Sequence, residues 1–208
     1  MKLYTYFRSS AAYRVRIALN LKGIAAEQVA INLLKKEHRN EAFLAINPQG
    51  RVPALDLGGA LITQSLAILE YLEETHPEPA LLPADPVARA KVRAVADVIA
   101  CDVHPLNNSG TLAYLKQVLG HEQPVIDQWY AHWIREGFFA VERVIEPGPY
   151  CFGETPTFAD CCLAPQLFNA HRFGVPLDAF PKIAEVERAY SRNEAFQKAA
   201  PEAQSDAA

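Results

Sequence analysis

The chain has 208 residues, of which 50% are apolar or aromatic and 21% charged, with 20 Lys plus Arg against 24 Asp plus Glu. This composition excludes wholesale disorder and supplies enough apolar side chains for a sizeable core, in one large domain or two compact ones. A formal charge of -4 without a basic stripe excludes the usual nucleic-acid binder, so an anionic ligand must be held by a few local groups.

Nothing in the chain reads as an address or an anchor. The opening Met-Lys-Leu-Tyr-Thr-Tyr-Phe-Arg reaches Arg8 before any apolar stretch of signal-peptide length. No window approaches the run of about 18 apolar residues that a membrane span needs. Cys101, Cys151, Cys161 and Cys162 have neither zinc spacing nor C-x-x-C spacing. Reduced, mostly buried thiols in a cytoplasmic protein are the expectation, with no metal site.

In chain order, Leu3–Tyr6 reads as a strand and Ala11–Lys22 as a helix closed by Gly23, a favoured residue just past a helix end. Glu27–Ile31 is a second strand, and Glu37–Ala45 a helix stopped by Asn47-Pro48. Pro53–Leu57 and Leu61–Thr63 form a hairpin across Gly58-Gly59, and Ser65–Thr75 is a helix ended before Pro77. The order β-α-β-α-β-β-α makes the first two strands parallel, because a helix crosses between them, and the hairpin adds an antiparallel edge. Four prolines between Pro77 and Pro86 mark a linker, after which Asp85 caps a helix with Pro86 at its first position. From Val87 the pattern is helical: Val92, Val95, Ala96 and Ile99 form a stripe running toward Pro105. Helices follow over about 124–145, 158–172 and 181–199, and the Ala-rich tail after Pro201 reads as frayed. The spacing of Thr157 and Asp160 is that of a capping box. The expected architecture is a small α/β domain over 1–80 followed by an all-helical domain over 86–208.

Three segments carry residue types suited to binding chemistry. Arg8-Ser9-Ser10-Ala11 sits where the first strand turns into the first helix. Free backbone N–H groups and the positive end of the helix dipole meet a hydroxyl there, which suits an anion or thiolate as well as a plain serine cap. Neither serine lies in a G-x-S-x-G elbow, so a Ser-His-Asp hydrolase is disfavoured. Gln49-Gly50-Arg51-Val52-Pro53 places a proline beside a strand, at an edge or a turn. With a cis bond at Val52–Pro53, Val52 could offer its N–H and C=O to an extended peptide. Gln64-Ser65 opens the third helix with an amide, a hydroxyl and backbone N–H groups, which suit a carboxylate or serve only as a cap.

Together these segments resemble the glutathione transferase superfamily, and Ser9-Ser10-x-x-x-Arg14-Val15-Arg16-Ile17-Ala18-Leu19 resembles its zeta class. Asn47-Pro48, Val52-Pro53, Gln64-Ser65-Leu66-Ala67-Ile68, Leu81-Leu82-Pro83 and Thr157-x-x-Asp160 extend the likeness over essentially the whole chain. The resemblance implies a thioredoxin-like domain carrying glutathione and a helical domain supplying the second substrate's pocket. It implies that Ser9, Ser10 and Ala11 lie at the glutathione thiol, with Ser9 the favoured hydroxyl. Val52 and Pro53 would face the cysteinyl backbone, Gln64 and Ser65 the γ-glutamyl carboxylate, and His38 the glycyl end. His104, Asn108 and Ser109 would overlie the same site, Thr157 and Asp160 would be a structural cap, and the protein would pair as a homodimer. In one respect the chain departs from the class, which commonly reads S-S-C-x-W where this sequence has Ser9-Ser10-Ala11-Ala12-Tyr13. A mechanism using a protein thiol at that turn is therefore excluded, and so is dithiol–disulfide exchange.

The implied activity is glutathione-dependent cis–trans isomerisation of maleylpyruvate or maleylacetoacetate in aromatic catabolism. A thiolate can add to an activated double bond, permit rotation and leave, which makes glutathione a cofactor and not a co-substrate. The small dicarboxylate substrate needs cationic partners: Arg8 is the first choice, since a guanidinium takes a carboxylate bidentately, and Arg172 the second. Arg14 and Arg16 are expected in structural ion pairs or at the surface. A conjugating glutathione transferase would share the glutathione contacts without needing the arginines, and a non-catalytic module of the same fold would need neither.

Overall fold

The computed structural model describes residues 1–146 and 148–207. They form two compact units, one from Met1–Leu81 with the chain from Ser191 onward, the other Leu82–Tyr190.

In the first unit, β1 (Lys2–Thr5), α1 (Ser10–Leu21), β2 (Glu27–Ala30), α2 (Glu41–Ile46), β3 (Ala54–Asp56), β4 (Leu61–Thr63) and α3 (Ser65–Thr75) follow one another. The sheet order is β2-β1-β3-β4. Leu3 stands opposite Gln28 in the parallel β1–β2 pair and opposite Leu55 in the antiparallel β1–β3 pair. This is the topology expected from a crossover helix followed by a hairpin. Placing β3 beside β1 buries the middle of the sheet: Leu3 and Leu55 are wholly inaccessible, as are Val15, Ile17, Ile68, Leu69 and Leu72 of α1 and α3. A second apolar cluster gathers Tyr6, Phe43 and Val52 with Tyr4, Phe7, Ile31, Leu33 and Ile46.

The expected helix over 37–45 is in fact a single 3-10 turn, Glu37–Arg39, and then α2. Asn40 separates them because its Oδ1 accepts the Phe43 N–H at 2.8 Å, the role of an N-cap. At the linker, Lys22 is buried and its Nζ meets Glu73 at 2.7 Å while donating to the carbonyls of His76 and Pro79. Both Glu73 oxygens accept the Leu81 N–H, so one ion pair closes the end of α3 and holds the proline-rich stretch after it.

The second unit contains α4 (Pro86–Asp97), α5 (His104–Asn107), α6 (Ser109–Gln117), α7 (Gln123–Val144), α8 (Phe158–Arg172) and α9 (Pro181–Tyr190). Asp85 caps α4 through Ala88 N–H, with Pro86 in the first turn, as expected. Between α4 and α5 the chain widens into a π-helical stretch, Val98–Val103. A side chain at Gly137 of α7 would collide with Val103 there, so the glycine is needed for that close approach. Helix α6 has no counterpart in the sequence reading because none of its residues is buried, leaving no apolar periodicity to detect. Asp160 is fully buried and accepts the Thr157 and Cys151 N–H groups and the Tyr190 hydroxyl, which closes the corner before α8 as the capping spacing implied. Cys151, Cys161 and Cys162 are buried thiols, whereas Cys101 is exposed.

The chain's end departs from expectation twice. The predicted helix over 181–199 is two, α9 and α10 (Glu194–Ala199), and α10 belongs to the first unit, not to a helical domain running through 208. Nor does the tail fray among the described residues: Pro201 and Gln204 are buried, and Gln204 Nε2 donates to the carbonyls of Lys198 and Ala200 at 2.8 Å each. Among the described residues no helix is long and apolar enough to cross a membrane.

Candidate active site

In the first unit, the turn between β1 and α1 carries Arg8 and Ser9. Ser9 is the N-cap of α1, with φ -70° and ψ 112°, and its Oγ accepts the Ala12 N–H at 3.2 Å. Its own N–H donates to the Tyr6 carbonyl at 2.9 Å. Capping uses a lone pair of the hydroxyl and leaves its proton to donate, so the cap and anion readings of Ser9 are compatible. Ser10 is the buried first residue of α1, and Ala11 is half-buried in the same turn. Arg8 is half-buried; it donates to the Tyr6 hydroxyl at 3.2 Å and lies 4.9 Å above the Phe7 ring. It has no carboxylate partner among the described residues.

Arg14 and Arg16 are not at the surface: both are 2% exposed. Arg14 Nη1 donates to Ser65 Oγ at 3.1 Å, which sets a buried positive charge behind the start of α3. Arg16 donates to the Thr5 hydroxyl and to the carbonyls of Tyr6, Phe7 and Ala199. Burial pushes its guanidinium down to about 10, against the pull of Tyr13 and Asp206. The signal for these roles was present in the sequence: α1 is apolar on nearly every side, so charges within it must be buried. No sequence signal pointed to Asp206, whose Oδ2 accepts the Phe7 N–H at 3.0 Å across 199 residues.

The Val52–Pro53 bond is cis, and Val52 gives neither backbone group to a hydrogen bond among the described residues. Gln64 holds a φ of +70° at the N-cap of α3, is exposed, and donates its amide to Gln49 Oε1 at 2.9 Å. Ser65 is buried directly behind it. Gly50 packs so closely that a side chain there would meet the His38 carbonyl at 2.7 Å, and glycine adopts its φ of +59° without the strain a side chain would add. His38 Nδ1 is buried without a hydrogen-bond partner, and burial with the nearby Arg39 charge lowers the ring's pKa.

In the second unit, His104 opens α5 and exposed Ser109 opens α6. The Asn108 amide is taken by its own corner: Nδ2 donates to the Pro105 carbonyl, and Oδ1 accepts the Gly110 and Thr111 N–H groups. It acts as the cap of α6. Arg172 is exposed, with its guanidinium 5.1 Å over the Phe173 ring, and Phe173 stacks on Tyr130 at 3.7 Å.

A four-stranded mixed sheet, a helix-capping serine after β1 and a cis-proline before β3 define a thioredoxin-like domain, and a helical unit follows it. Residues 1–74 match the glutathione S-transferase N-terminal domain and residues 123–189 its C-terminal domain. The chain is 50% identical to maleylacetoacetate isomerase of Pseudomonas aeruginosa, over 99% of this chain and 98% of that one. A solved structure described as holo maleylpyruvate isomerase, a bacterial glutathione S-transferase of the zeta class, superposes with a TM-score of 0.98 at 48% identity, with 100% of both chains covered. Maleylacetoacetate isomerase of Methylobacterium extorquens AM1, solved with bound malonate and glutathione, has a TM-score of 0.95 at 39% identity, again over 100% of both chains. The chain belongs to the glutathione S-transferase family, among its zeta-class maleylacetoacetate and maleylpyruvate isomerases.

Proposed function

We propose that this protein is a glutathione-dependent cis–trans isomerase that converts maleylpyruvate or maleylacetoacetate to the fumaryl form in aromatic catabolism, as a cytoplasmic homodimer. The observation that carries this reading is Arg8. A half-buried guanidinium with no carboxylate partner among the described residues stands one residue before the serine that caps α1. A transferase acting on apolar electrophiles has no use for such a group, whereas a dicarboxylate does.

Glutathione suits the residues present. Among the described residues Val52 has an unused backbone N–H and C=O for an extended peptide, with Pro53 beside it. The start of α3 combines Gln64, Ser65 and the buried Arg14 charge, a setting suited to the γ-glutamyl carboxylate. His38 and Ser10 with Ala11 are assigned the glycyl end and the thiol end. Bound there, glutathione supplies a thiolate that can add to the activated double bond of the substrate and leave again.

The protein's own residues set the conditions for this. The Ser9 hydroxyl donates toward the sulfur, and with the positive end of α1 it favours the thiolate over the thiol. Arg8 takes one substrate carboxylate bidentately and so fixes which carbon faces the sulfur. Arg172, of the helical unit, is assigned the other carboxylate.

The test is the rate of loss of maleylpyruvate and of maleylacetoacetate, with and without glutathione, while thiols are counted. Turnover that requires glutathione at a constant thiol count is the expected result, and the faster acid identifies the substrate. Thiol consumption on chlorodinitrobenzene without turnover of either acid would make the protein a conjugating transferase. Sedimentation velocity checks the dimer.

A further inference from the structure

Phe7 lies between the last residue of β1 and the first of α1, outside both the sheet ladder and the helix. Its two peptide groups are nonetheless held by side chains. Its N–H donates to Asp206 Oδ2 at 3.0 Å, and its C=O accepts from Arg16 Nη2 at 2.9 Å. Arg16 reaches the same terminal segment through the Ala199 carbonyl, at 3.0 Å from Nε. The segment that presents Asp206 is itself tied down, by the Gln204 amide to Lys198 and Ala200 and by the Ala207 N–H to the Gln204 carbonyl. The Phe7 ring in turn lies under the Arg8 guanidinium. The next residue after Arg8 is Ser9.

From this arrangement we infer that Asp206 is a positioning residue for the reaction: its carboxylate fixes the Phe7 peptide and, through it, the ring beneath Arg8 and the hydroxyl of Ser9. The inference rests on the roles proposed above for Arg8 and Ser9. An unpaired Phe7 N–H would remove the anchor that ties the turn to the terminal segment through its own peptide N–H, leaving Arg16 as the side chain that holds the Phe7 peptide. Displacement of a binding group by about an ångström is enough to lower rates by a factor of up to about a hundred. Asp206 touches neither of the groups it aligns by any hydrogen bond among the described residues, so its effect passes through Phe7.

The experiment compares Asp206→Ala, Asp206→Asn and a chain ended at Ser205, with Arg8→Ala and Ser9→Ala run alongside. The readouts are the KM for the maleyl acid and, with glutathione saturating, the acid limb of the pH profile of kcat/KM for the maleyl acid, each below the melting temperature of every variant. Asp206→Ala and the shortened chain are expected to raise that KM about tenfold and move the acid limb to higher pH. Asp206→Asn, whose Oδ1 still accepts the Phe7 N–H, is expected to recover most of both. Unchanged KM and pH profile in Asp206→Ala, or an Asn variant as impaired as Ala, would overturn the inference. If Arg8→Ala and Ser9→Ala lower activity while Asp206→Ala does not, only the positioning role is wrong. If neither does, the reading beneath it fails and takes the inference with it.

Discussion

In the helical unit, the buried Asp160 carboxylate gathers N–H groups from Cys151 and Thr157 and hydroxyls from Thr157 and Tyr190. In the N-terminal unit, the buried Arg16 guanidinium gathers oxygens from Thr5, Tyr6, Phe7 and Ala199. Both are charges taken out of water and compensated by several hydrogen bonds, as burial requires. Their reach differs. Asp160 joins residues that include none of the proposed ligand contacts, while Arg16 holds the turn on which Arg8 and Ser9 sit. The same physics therefore serves stability in one unit and geometry of the reacting groups in the other.

The largest expected effect tests the first half of that contrast. Asp160→Ala leaves its buried donors without an acceptor and should cost about 3–5 kcal/mol of stability by urea denaturation. Turnover per folded molecule should remain that of the parent, and a further drop in kcat would break the contrast. Lys22→Met offers a control within the N-terminal unit, since it removes a buried cationic partner of Glu73. It is expected to cost about 3 kcal/mol, again without loss of kcat in the folded fraction, which would separate buried charge at the linker from buried charge at the turn.

Ser9→Ala should show the reverse pattern. Loss of the cap costs about 1 kcal/mol of stability, but loss of a donor to the thiolate should lower turnover roughly a hundredfold, equivalent to about 2.7 kcal/mol. Full turnover at neutral pH would remove Ser9 from the chemistry. The smallest effect concerns His38. Its pKa is depressed in the folded protein from an ordinary 6.5, so the folded state resists protonation. Stability is then intact above pH 6.5 and falls as the pH drops through that value toward the lower folded one. His38→Gln should flatten this stretch of the curve in melts taken between about pH 5 and 7.

Much of this protein was legible in its local sequence, because hydrophobic period, caps and breakers act over a few residues. Leu3, Glu27, the glycines of the hairpin and the Asp85-Pro86 cap announced the order of elements and the parallel and antiparallel pairings. Ser9, Val52 and Gln64-Ser65 stood at a helix start, a strand edge and a second helix start, where backbone groups are left over for a ligand. Asn40 and α6 were missed for the converse reason: a capping amide inside a helical pattern and a helix with no buried face leave little periodic trace. What only the tertiary structure decided is the set of contacts between segments far apart in the chain. Arg14 behind Ser65, Ala199 against Arg16 and Asp206 against Phe7 span 51, 183 and 199 residues. Such pairs depend on how the chain packs, because a buried guanidinium or an uncommitted peptide N–H is satisfied by whichever partner folding brings to it.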